Sequence, residues 1–188
     1  MGQFVLALVC LLAAGGVPST VEVRGSAAAG GKPVQDAVVW VDVPGAPRAP
    51  QGKIVLDQRN LNFSPRVLAV QVGTPVDFPN HDRVFHNVFS FRDGKRFDLG
   101  LYPVGAVKTI PFDRPGLSRV FCNIHPGMAA YIMVLDTPVF AVSDRTGQFT
   151  LAGVPTGTFT YHAWRPGGSV LNGSISVSVG AVLDIEWP

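Results

Sequence analysis

The chain has 188 residues, enough for one large domain or two small ones. Its 15 basic and 13 acidic side chains nearly balance, which argues against the concentrated basic face of a nucleic-acid-binding protein. The sequence contains 21 glycines and 16 prolines, and no long window shows helical periodicity. We therefore expect an all-β protein with many turns.

The N-terminal segment has the pattern of a signal peptide. Residues 4–14 form an apolar run followed by Gly15 and Gly16, too short to span a bilayer but typical of an h-region and its cleavage site. No Lys or Arg precedes the run, which departs from the usual pattern. We expect residues 1–16 to be removed and the mature protein to be periplasmic or secreted, with no membrane span.

The sequence contains two cysteines, Cys10 and Cys122. Cys10 would be the modified residue of a lipoprotein, but Val9 precedes it where a small residue is expected. Removal of the signal would leave Cys122 alone in an oxidising compartment, where it has no partner for an internal disulfide. Cys122 is therefore either a buried apolar side chain or a residue with a chemical role.

Alternating apolar residues predict strands along most of the chain. In residues 20–43, Val39 and Val41 alternate with Val38 and Trp40, and a Pro-rich connector follows at residues 44–51. The next strands are predicted at residues 53–57, 66–72, 76–78, 84–91, 107–112, 118–122 and 131–135. We expect the polar residues 92–105 to form a long loop or an irregular excursion. Further strands are predicted at residues 139–143, 148–151, 158–164, 174–179 and 182–187, a spacing that suggests sandwiches.

Residues 120–134, VFCNIHPGMAAYIMV, place three potential metal ligands in one loop. Cys122, His125 and Met128 follow one another at intervals of three residues. A thiolate, an imidazole and a thioether together favour copper over zinc or the hard cations. Zinc is the weaker alternative, since structural zinc sites favour cysteine and histidine alone. A copper site of this kind would need one more histidine.

Three other histidines are candidates for this fourth ligand. His86 is the best of them, because apolar residues flank it in a predicted strand. Asn87 beside it could hydrogen-bond the sulfur and tie the ligand loops together. We expect His81 to be solvated in a polar turn and His162 to be an ordinary half-buried side chain of an amphipathic strand. Met133 alternates with other apolar residues in a strand and is expected to belong to the core.

The order and spacing of these residues resemble a known family. Residues 75–87, PVDFPNHDRVFHN, followed by the C-x2-H-x2-M pattern of residues 122–128, are similar to the cupredoxins, the small blue copper proteins. The spacing most resembles amicyanin, and the closest likeness is to plastocyanin-like proteins labelled as methylamine utilisation proteins. Residues 63–65, FSP, resemble an early turn of the family. The resemblance covers roughly residues 52–136.

This resemblance implies a Greek-key β-sandwich with one type 1 copper ion. His86, Cys122 and His125 would be its equatorial ligands, Met128 its weak axial ligand, and Asn87 a hydrogen-bonding neighbour. Three phenylalanines would help to keep the site dry, namely Phe85, Phe89 and Phe121. By the same resemblance, electrons would enter at the outer edge of His125, in an apolar patch formed by residues 126–129.

Both ends of the chain resemble a different family. Residues 21–41, 143–168 and 175–187 are similar to a carboxypeptidase regulatory-like, transthyretin-type β-sandwich, whose D-x-x-G-x-F-x-L pattern begins at Asp144. We therefore expect a discontinuous outer sandwich, residues 17–48 and 137–188, into which a copper domain of residues 49–136 is inserted. The two crossings would lie at residues 44–51 and 136–138.

The sequence thus predicts a periplasmic electron carrier that passes single electrons between redox proteins, such as a dehydrogenase and a c-type cytochrome. An enzyme is less favoured, because multicopper oxidases and nitrite reductases need extra histidine clusters and only His81 and His162 remain. A cysteine protease would need a thiolate oriented by histidine and an oxyanion hole. The alternative is a copper-binding or partner-docking accessory module that carries no electrons.

Overall fold

The computed structural model describes residues 19–46, 48, 52–91 and 93–188. Within these residues the chain is all-β, as the sequence predicts, with eighteen strands and no helix. The described part of the chain accordingly offers no helix with the length and apolarity to cross a membrane. The predicted signal peptide, Cys10 and residues 47 and 49–51 of the predicted connector at residues 44–51 lie outside the described residues.

The strands are short, and most connections between them are tight turns. In chain order they are β1 (Thr20–Ala29), β2 (Lys32–Pro33), β3 (Val38–Val41), β4 (Ile54–Val55), β5 (Asp57–Arg59), β6 (Asn62–Ser64), β7 (Val67–Gln71), β8 (Thr74–Pro79), β9 (His86–Ser90), β10 (Phe97–Tyr102), β11 (Val107–Phe112), β12 (Gly116–Phe121), β13 (Ala129–Leu135), β14 (Phe140–Val142), β15 (Gln148–Pro155), β16 (Gly157–Trp164), β17 (Leu171–Val177) and β18 (Val182–Trp187).

Four main sheets contain nearly all of these strands. The first has the order β15-β1-β18, with β2 paired to β1, and the second has the order β14-β3-β16-β17. The third has the order β10-β9-β12-β13-β7, and the fourth has the order β11-β8-β4. The hairpin of β5 and β6 is a separate small sheet. The first two sheets use strands from both ends of the chain, whereas the other sheets use strands between residues 54 and 135.

Three apolar clusters lie between successive sheets, so the sheets stack in four layers. The first cluster, which includes Val39 and Trp187, fills the space between the first and second sheets. The second, which includes Phe78 and Cys122, lies between the third and fourth sheets. The third cluster, built around Trp164, joins the second sheet to the third. Burying apolar area from water between sheets is the main favourable contribution to such a fold.

The third sheet is apolar on both faces, and β13 shows why. Successive side chains of a strand point to opposite faces. Ala130, Ile132 and Val134 belong to the second cluster, whereas Met133 and Leu135 belong to the third. The prediction that Met133 is a core residue is therefore confirmed.

The prediction of a long loop or an irregular excursion over residues 92–105 is wrong for Phe97–Tyr102, which forms β10 at the edge of the third sheet. A register shift interrupts its pairing with β9 between Asp98 and Leu101. Gly100, inside this irregularity, has a φ of 63°. A bulge of this kind breaks the alternation of apolar and polar residues by which a strand is recognised.

Candidate metal centre

His86 is the first residue of β9, which lies between β10 and β12 in the third sheet. Its side chain is completely buried. Val88 and Ser90, on the same side of the strand, are buried too, and so is Asn87 on the other side. The fold therefore holds this imidazole inside the protein, at the end of a strand that is paired on both sides.

Cys122 directly follows β12 and begins the loop that leads to β13. The loop is closed by two backbone hydrogen bonds: the Cys122 N–H donates to Met128 O (3.2 Å), and the Met128 N–H donates to His125 O (3.2 Å). Gly127 has a φ of 89°, a left-handed conformation that glycine adopts without steric cost. This tight turn brings the side chains of Cys122 and His125 towards His86 in β9.

Three side-chain atoms converge at this loop. Cys122 Sγ lies 3.9 Å from His86 Nδ1 and 3.6 Å from His125 Nδ1, and the two Nδ1 atoms are 3.0 Å apart. Among the described residues, these three form the one group of histidine, cysteine or acidic side chains close enough to hold a metal ion together.

The size of this triangle is suitable for one metal ion. Bonds of about 2.0 Å to nitrogen and about 2.3 Å to sulfur, as in protein zinc sites, would place trigonal nitrogens about 3.5 Å apart and each nitrogen about 3.7 Å from the sulfur. The observed separations of 3.0 Å between nitrogens and 3.6–3.9 Å to the sulfur are close to these values. The two imidazoles and the thiol therefore fit a three-coordinate ion.

Met128 lies beside this group. It is 2% exposed and belongs to the same apolar cluster as Cys122. Both residues also line one shallow, mostly apolar depression at the surface, together with Pro126 and Gly127. Met128 thus has a local environment quite different from that of Met133, which lies in the cluster on the opposite face of the sheet.

Asn87, the predicted hydrogen-bonding neighbour, is buried and connects three segments. Its Oδ1 accepts from the Asn123 N–H (3.3 Å), and its Nδ2 donates to Asp98 Oδ1 (2.8 Å). The side chain therefore ties the loop after Cys122 to β9 and β10. Asn87 is expected from the sequence to connect the ligand loops, and these two bonds do so. A hydrogen bond to the sulfur of Cys122 is also expected, but Asn87 does not form it in the described structure.

Asp82 is a neighbour of the site that the sequence analysis missed. Its Oδ2 lies 3.1 Å from His86 Nε2, on the side of the ring opposite Cys122. Hydrogen bonds from the backbone N–H groups of Leu61 and Arg83, together with His86, hold the pKa of the Asp82 carboxyl below its ordinary value. The signal available in the sequence is an acidic residue four positions before the candidate ligand.

The other two histidines lie outside the group. His81 Nδ1 is 2.9 Å from Asp57 Oδ1 on the surface. His162 pairs with Asp42 (Nε2 to Oδ2, 2.8 Å) and stacks on Trp40, with ring centroids 5.0 Å apart. Each lies beside a carboxylate elsewhere in the structure and not in the group of His86, Cys122 and His125.

Aromatic side chains cover one flank of the site. Phe89, Phe91 and Phe121 contact one another with ring centroids 5.7–6.0 Å apart and line the same depression as Cys122 and Met128. Apolar walls of this kind restrict the access of water to the thiol.

Phe85 departs from the expectation that it helps to keep the site dry. Its side chain is 52% exposed, although the neighbouring His86 is completely buried. Because successive side chains point to opposite sides of extended backbone, the residue before a buried ligand is turned outwards.

A buried tyrosine lies on the inner side of the site. Tyr102 is the cross-strand partner of His86 in the pairing of β10 with β9. Its hydroxyl donates to Phe78 O (3.0 Å) and accepts from the buried side-chain amide of Gln58. Burial raises the pKa of Tyr102 to about 12; the negative charge of Cys122 adds to this increase, and the hydrogen bond from Gln58 opposes it.

Comparisons with known proteins identify similar structures but no family. No family model matches this sequence, and no curated protein is significantly similar to it. Among solved structures, the chain is similar to a purple cupredoxin from Nitrosopumilus maritimus, at 26% identity over 45% of this chain and 100% of that chain, with a TM-score of 0.40.

Two further solved structures cover a comparable share of the chain. A reduced amicyanin variant matches at 21% identity over 51% of this chain and 99% of that chain, with a TM-score of 0.41. A copper-containing nitrite reductase from Thermus scotoductus SA-01 matches at 25% identity, with a TM-score of 0.44. That match spans 52% of this chain but 25% of the reductase. The similar structures are thus cupredoxin-type proteins, matched over about half of the chain.

Proposed function

We propose that this protein binds one copper ion in a type 1 site and transfers single electrons between redox proteins. The observation that carries this proposal is the triangle of His86 Nδ1, Cys122 Sγ and His125 Nδ1, with separations between 3.0 and 3.9 Å. Two imidazoles and one thiolate are the equatorial ligands of a blue copper site. Met128, buried beside Cys122, would be the weak axial ligand.

Copper is favoured over zinc by the chemistry of these four side chains. A thioether is a soft donor that suits copper, whereas structural zinc is held by four cysteine or histidine ligands. His81 and His162 are paired with Asp57 and Asp42, so neither is at hand to complete a tetrahedral zinc site here. The bound copper would supply a one-electron couple, Cu(II)/Cu(I).

The protein's own contribution is to hold the ligands in one arrangement for both oxidation states. His86 is held in a strand that is paired on both sides, and the backbone hydrogen bonds of residues 122–128 keep Cys122 and His125 in a closed loop. A site held in this way reorganises little when an electron arrives, which favours transfer over chemical conversion of a substrate.

His125 is the ligand through which electrons would enter and leave. Its side chain is half-buried, whereas His86 is completely buried. The surrounding surface is apolar, with Pro126 and Gly127 lining a depression and Ile124 exposed. We propose that the partners, a dehydrogenase and a c-type cytochrome, approach this face in turn.

We also propose that the copper domain of residues 49–136 is inserted into an outer sandwich of residues 17–48 and 137–188. The sheet membership supports this division, because strands from both ends of the chain share the first two sheets. The predicted signal at residues 1–16 supports a periplasmic location.

A copper-binding or docking module without electron transfer is the second candidate. The observation in its favour is the third apolar cluster, through which the second sheet packs against the sheet that carries the candidate ligands. Such a frame could equally present bound copper to an accessory partner.

The experiment is to load the purified mature protein with Cu(II) and record its visible and electron paramagnetic resonance spectra during reduction and reoxidation. If the protein is an electron carrier, we expect an intense thiolate-to-Cu(II) band that disappears on reduction and returns on reoxidation over repeated cycles. Cys122→Ser should remove the band, and His81→Asn, a change at a histidine outside the group, should leave it intact. Copper binding without the band, or loss of copper in each cycle, would refute the carrier.

A further inference from the structure

The Asp82 carboxylate is the centre of a hydrogen-bond network beside the metal centre. Its Oδ2 lies 3.1 Å from His86 Nε2 and accepts from the Leu61 N–H at 2.7 Å. Its Oδ1 accepts from the Arg83 N–H at 2.9 Å. Both oxygens are therefore used, and one of them connects the turn between β5 and β6 to a candidate ligand.

The loop that carries Asp82 is itself held from inside. Asn80 is completely buried, and its Oδ1 accepts from the Asp82 N–H at 3.0 Å. Its Nδ2 donates to Val84 O at 2.8 Å and to Tyr102 O at 3.3 Å. A second contact connects this loop to β5, where Asp57 Oδ1 lies 2.9 Å from His81 Nδ1. The carboxylate is thus held in one position by contacts on both sides.

This arrangement determines which ring nitrogen of His86 faces the ligand group. An ionised carboxylate can only accept hydrogen bonds, so the nitrogen that faces Asp82 must carry the proton. Nε2 is that nitrogen, and Nδ1 is then left with its lone pair, 3.9 Å from Cys122 Sγ. His86 is completely buried, so water does not offer an alternative partner for the ring.

We propose that Asp82 is a positioning residue for the metal centre, an inference that rests on the proposed copper function. It selects the Nε2–H tautomer of His86, fixes the ring plane and makes Nδ1 a more basic ligand. A carboxylate that accepts from the far nitrogen of a ligating histidine acts in this way at other metal sites. A more basic ligand stabilises Cu(II) more than Cu(I), so Asp82 lowers the reduction potential.

The first test compares Asp82→Asn with Asp136→Asn, a matched loss of one negative charge at an exposed residue just after β13. An amide has a single acceptor oxygen, so it cannot serve both Arg83 on one side and His86 with Leu61 on the other. We expect Cu(II) affinity, measured by competition with a chelator, to fall about 10- to 100-fold in Asp82→Asn. The reduction potential of Asp82→Asn should rise. Asp136→Asn should have the same Cu(II) affinity and the same reduction potential as the parent protein.

The second test does not need copper. Long-range proton–nitrogen correlation spectra of the metal-free parent, at a pH where the imidazoles are neutral, should show His86 as the Nε2–H tautomer. In Asp82→Ala, whose folding is checked by circular dichroism, His86 should be a mixture of both tautomers. If Asp82→Ala does not fold, Asp82→Asn is measured in its place. A parent in the Nδ1–H tautomer, or equal potentials and affinities in Asp82→Asn and Asp136→Asn, would overturn the proposal.

These two tests separate the inference from the function on which it rests. A parent protein without the thiolate-to-Cu(II) band would refute the electron carrier. The tautomer of His86 in the metal-free protein would still confirm or refute the positioning by Asp82.

Discussion

Trp164 packs against the ring of Tyr131 in an edge-to-face arrangement, with ring centroids 5.3 Å apart. The contact joins β16 of the second sheet to β13 of the third, within the apolar cluster between these sheets. The opposite face of β13 lines the cluster that contains Cys122 and Met128. The second sheet therefore packs against the face of the third sheet that points away from Cys122 and Met128. We expect the second and third sheets to stabilise each other.

Replacement of Trp164 by alanine should destabilise the whole protein. Trp164 is 5% exposed, and truncation of a buried tryptophan typically costs about 3–5 kcal/mol. We expect the free energy of unfolding, measured in urea, to fall by about this amount in one transition. Val179→Ala, at a residue 88% exposed, should change it by less than about 0.5 kcal/mol. Two separate transitions, with only one shifted by Trp164→Ala, would show that the cluster does not couple the second and third sheets.

Replacement of Met128 by leucine should keep copper bound and raise its reduction potential. Leucine has nearly the same volume but no sulfur, and the axial ligand tunes the potential of a blue copper site. Protein-film voltammetry of the copper-loaded variant measures this shift. The matched control is Met133→Leu, because Met133 is buried in the cluster on the other face of the sheet. An unchanged potential in Met128→Leu would argue against an axial role.

Replacement of Asn87 by alanine should weaken the connection between β9 and the loop of residues 122–128. The Asn123 N–H and the Asp98 carboxylate would each lose a partner. Asn123 and Asp98 are exposed, so water can replace the lost partner, and the expected cost is the net value of each hydrogen bond, about 0.5–1.5 kcal/mol. We expect a lower thermal midpoint in the metal-free protein and faster loss of copper to a chelator.

A suitable control for Asn87→Ala is Asn62→Ala, at an exposed residue whose amide bonds locally to Asn60 O. This variant should behave like the parent in both measurements. If Asn87→Ala were equally neutral, the hydrogen bonds of Asn87 would not stabilise the loop.

The raised pKa of Tyr102 predicts a loss of stability at high pH. The phenol ionises near pH 10 in the unfolded chain and at about 12 in the folded protein. The folded state therefore retains a proton that the unfolded state has lost, so stability is complete below pH 10 and falls as the pH rises towards 12. Two pH units correspond to about 3 kcal/mol.

Urea unfolding of the metal-free protein between pH 9 and pH 12 measures this loss, with Tyr102→Phe as the comparison. The variant has no ionisable phenol at this position, so its stability should fall less steeply over the same range. Parallel curves for the two proteins would mean that Tyr102 ionises equally in both states.

Local patterns in the sequence predict much of this fold. In β3, Val39 and Val41 alternate with Val38 and Trp40, and the structure places the two sets in different clusters. A strand with two apolar faces is readily predicted, because its period of two depends only on neighbouring residues. The irregular strand β10 is not readily predicted, since the bulge around Gly100 interrupts that period.

The candidate ligands are predictable for a similar reason. Cys122, His125 and Met128 share one short loop, so their types and intervals are visible in the sequence. Asp82 is different, because an aspartate in a polar turn is usually solvated, and only the folded loop places its carboxylate 3.1 Å from His86 Nε2.

By itself, the sequence determined the all-β class, the set of candidate ligands and the preference for a soft metal, since these follow from residue types and short spacings. Only the tertiary structure decided that His86 meets Cys122 and His125 and that Asp82 holds the far side of its ring. It likewise decided that the second sheet packs on the face of the third sheet that points away from the metal centre. These relationships join residues distant in the chain, and they arise when the sheets bury their apolar faces against each other.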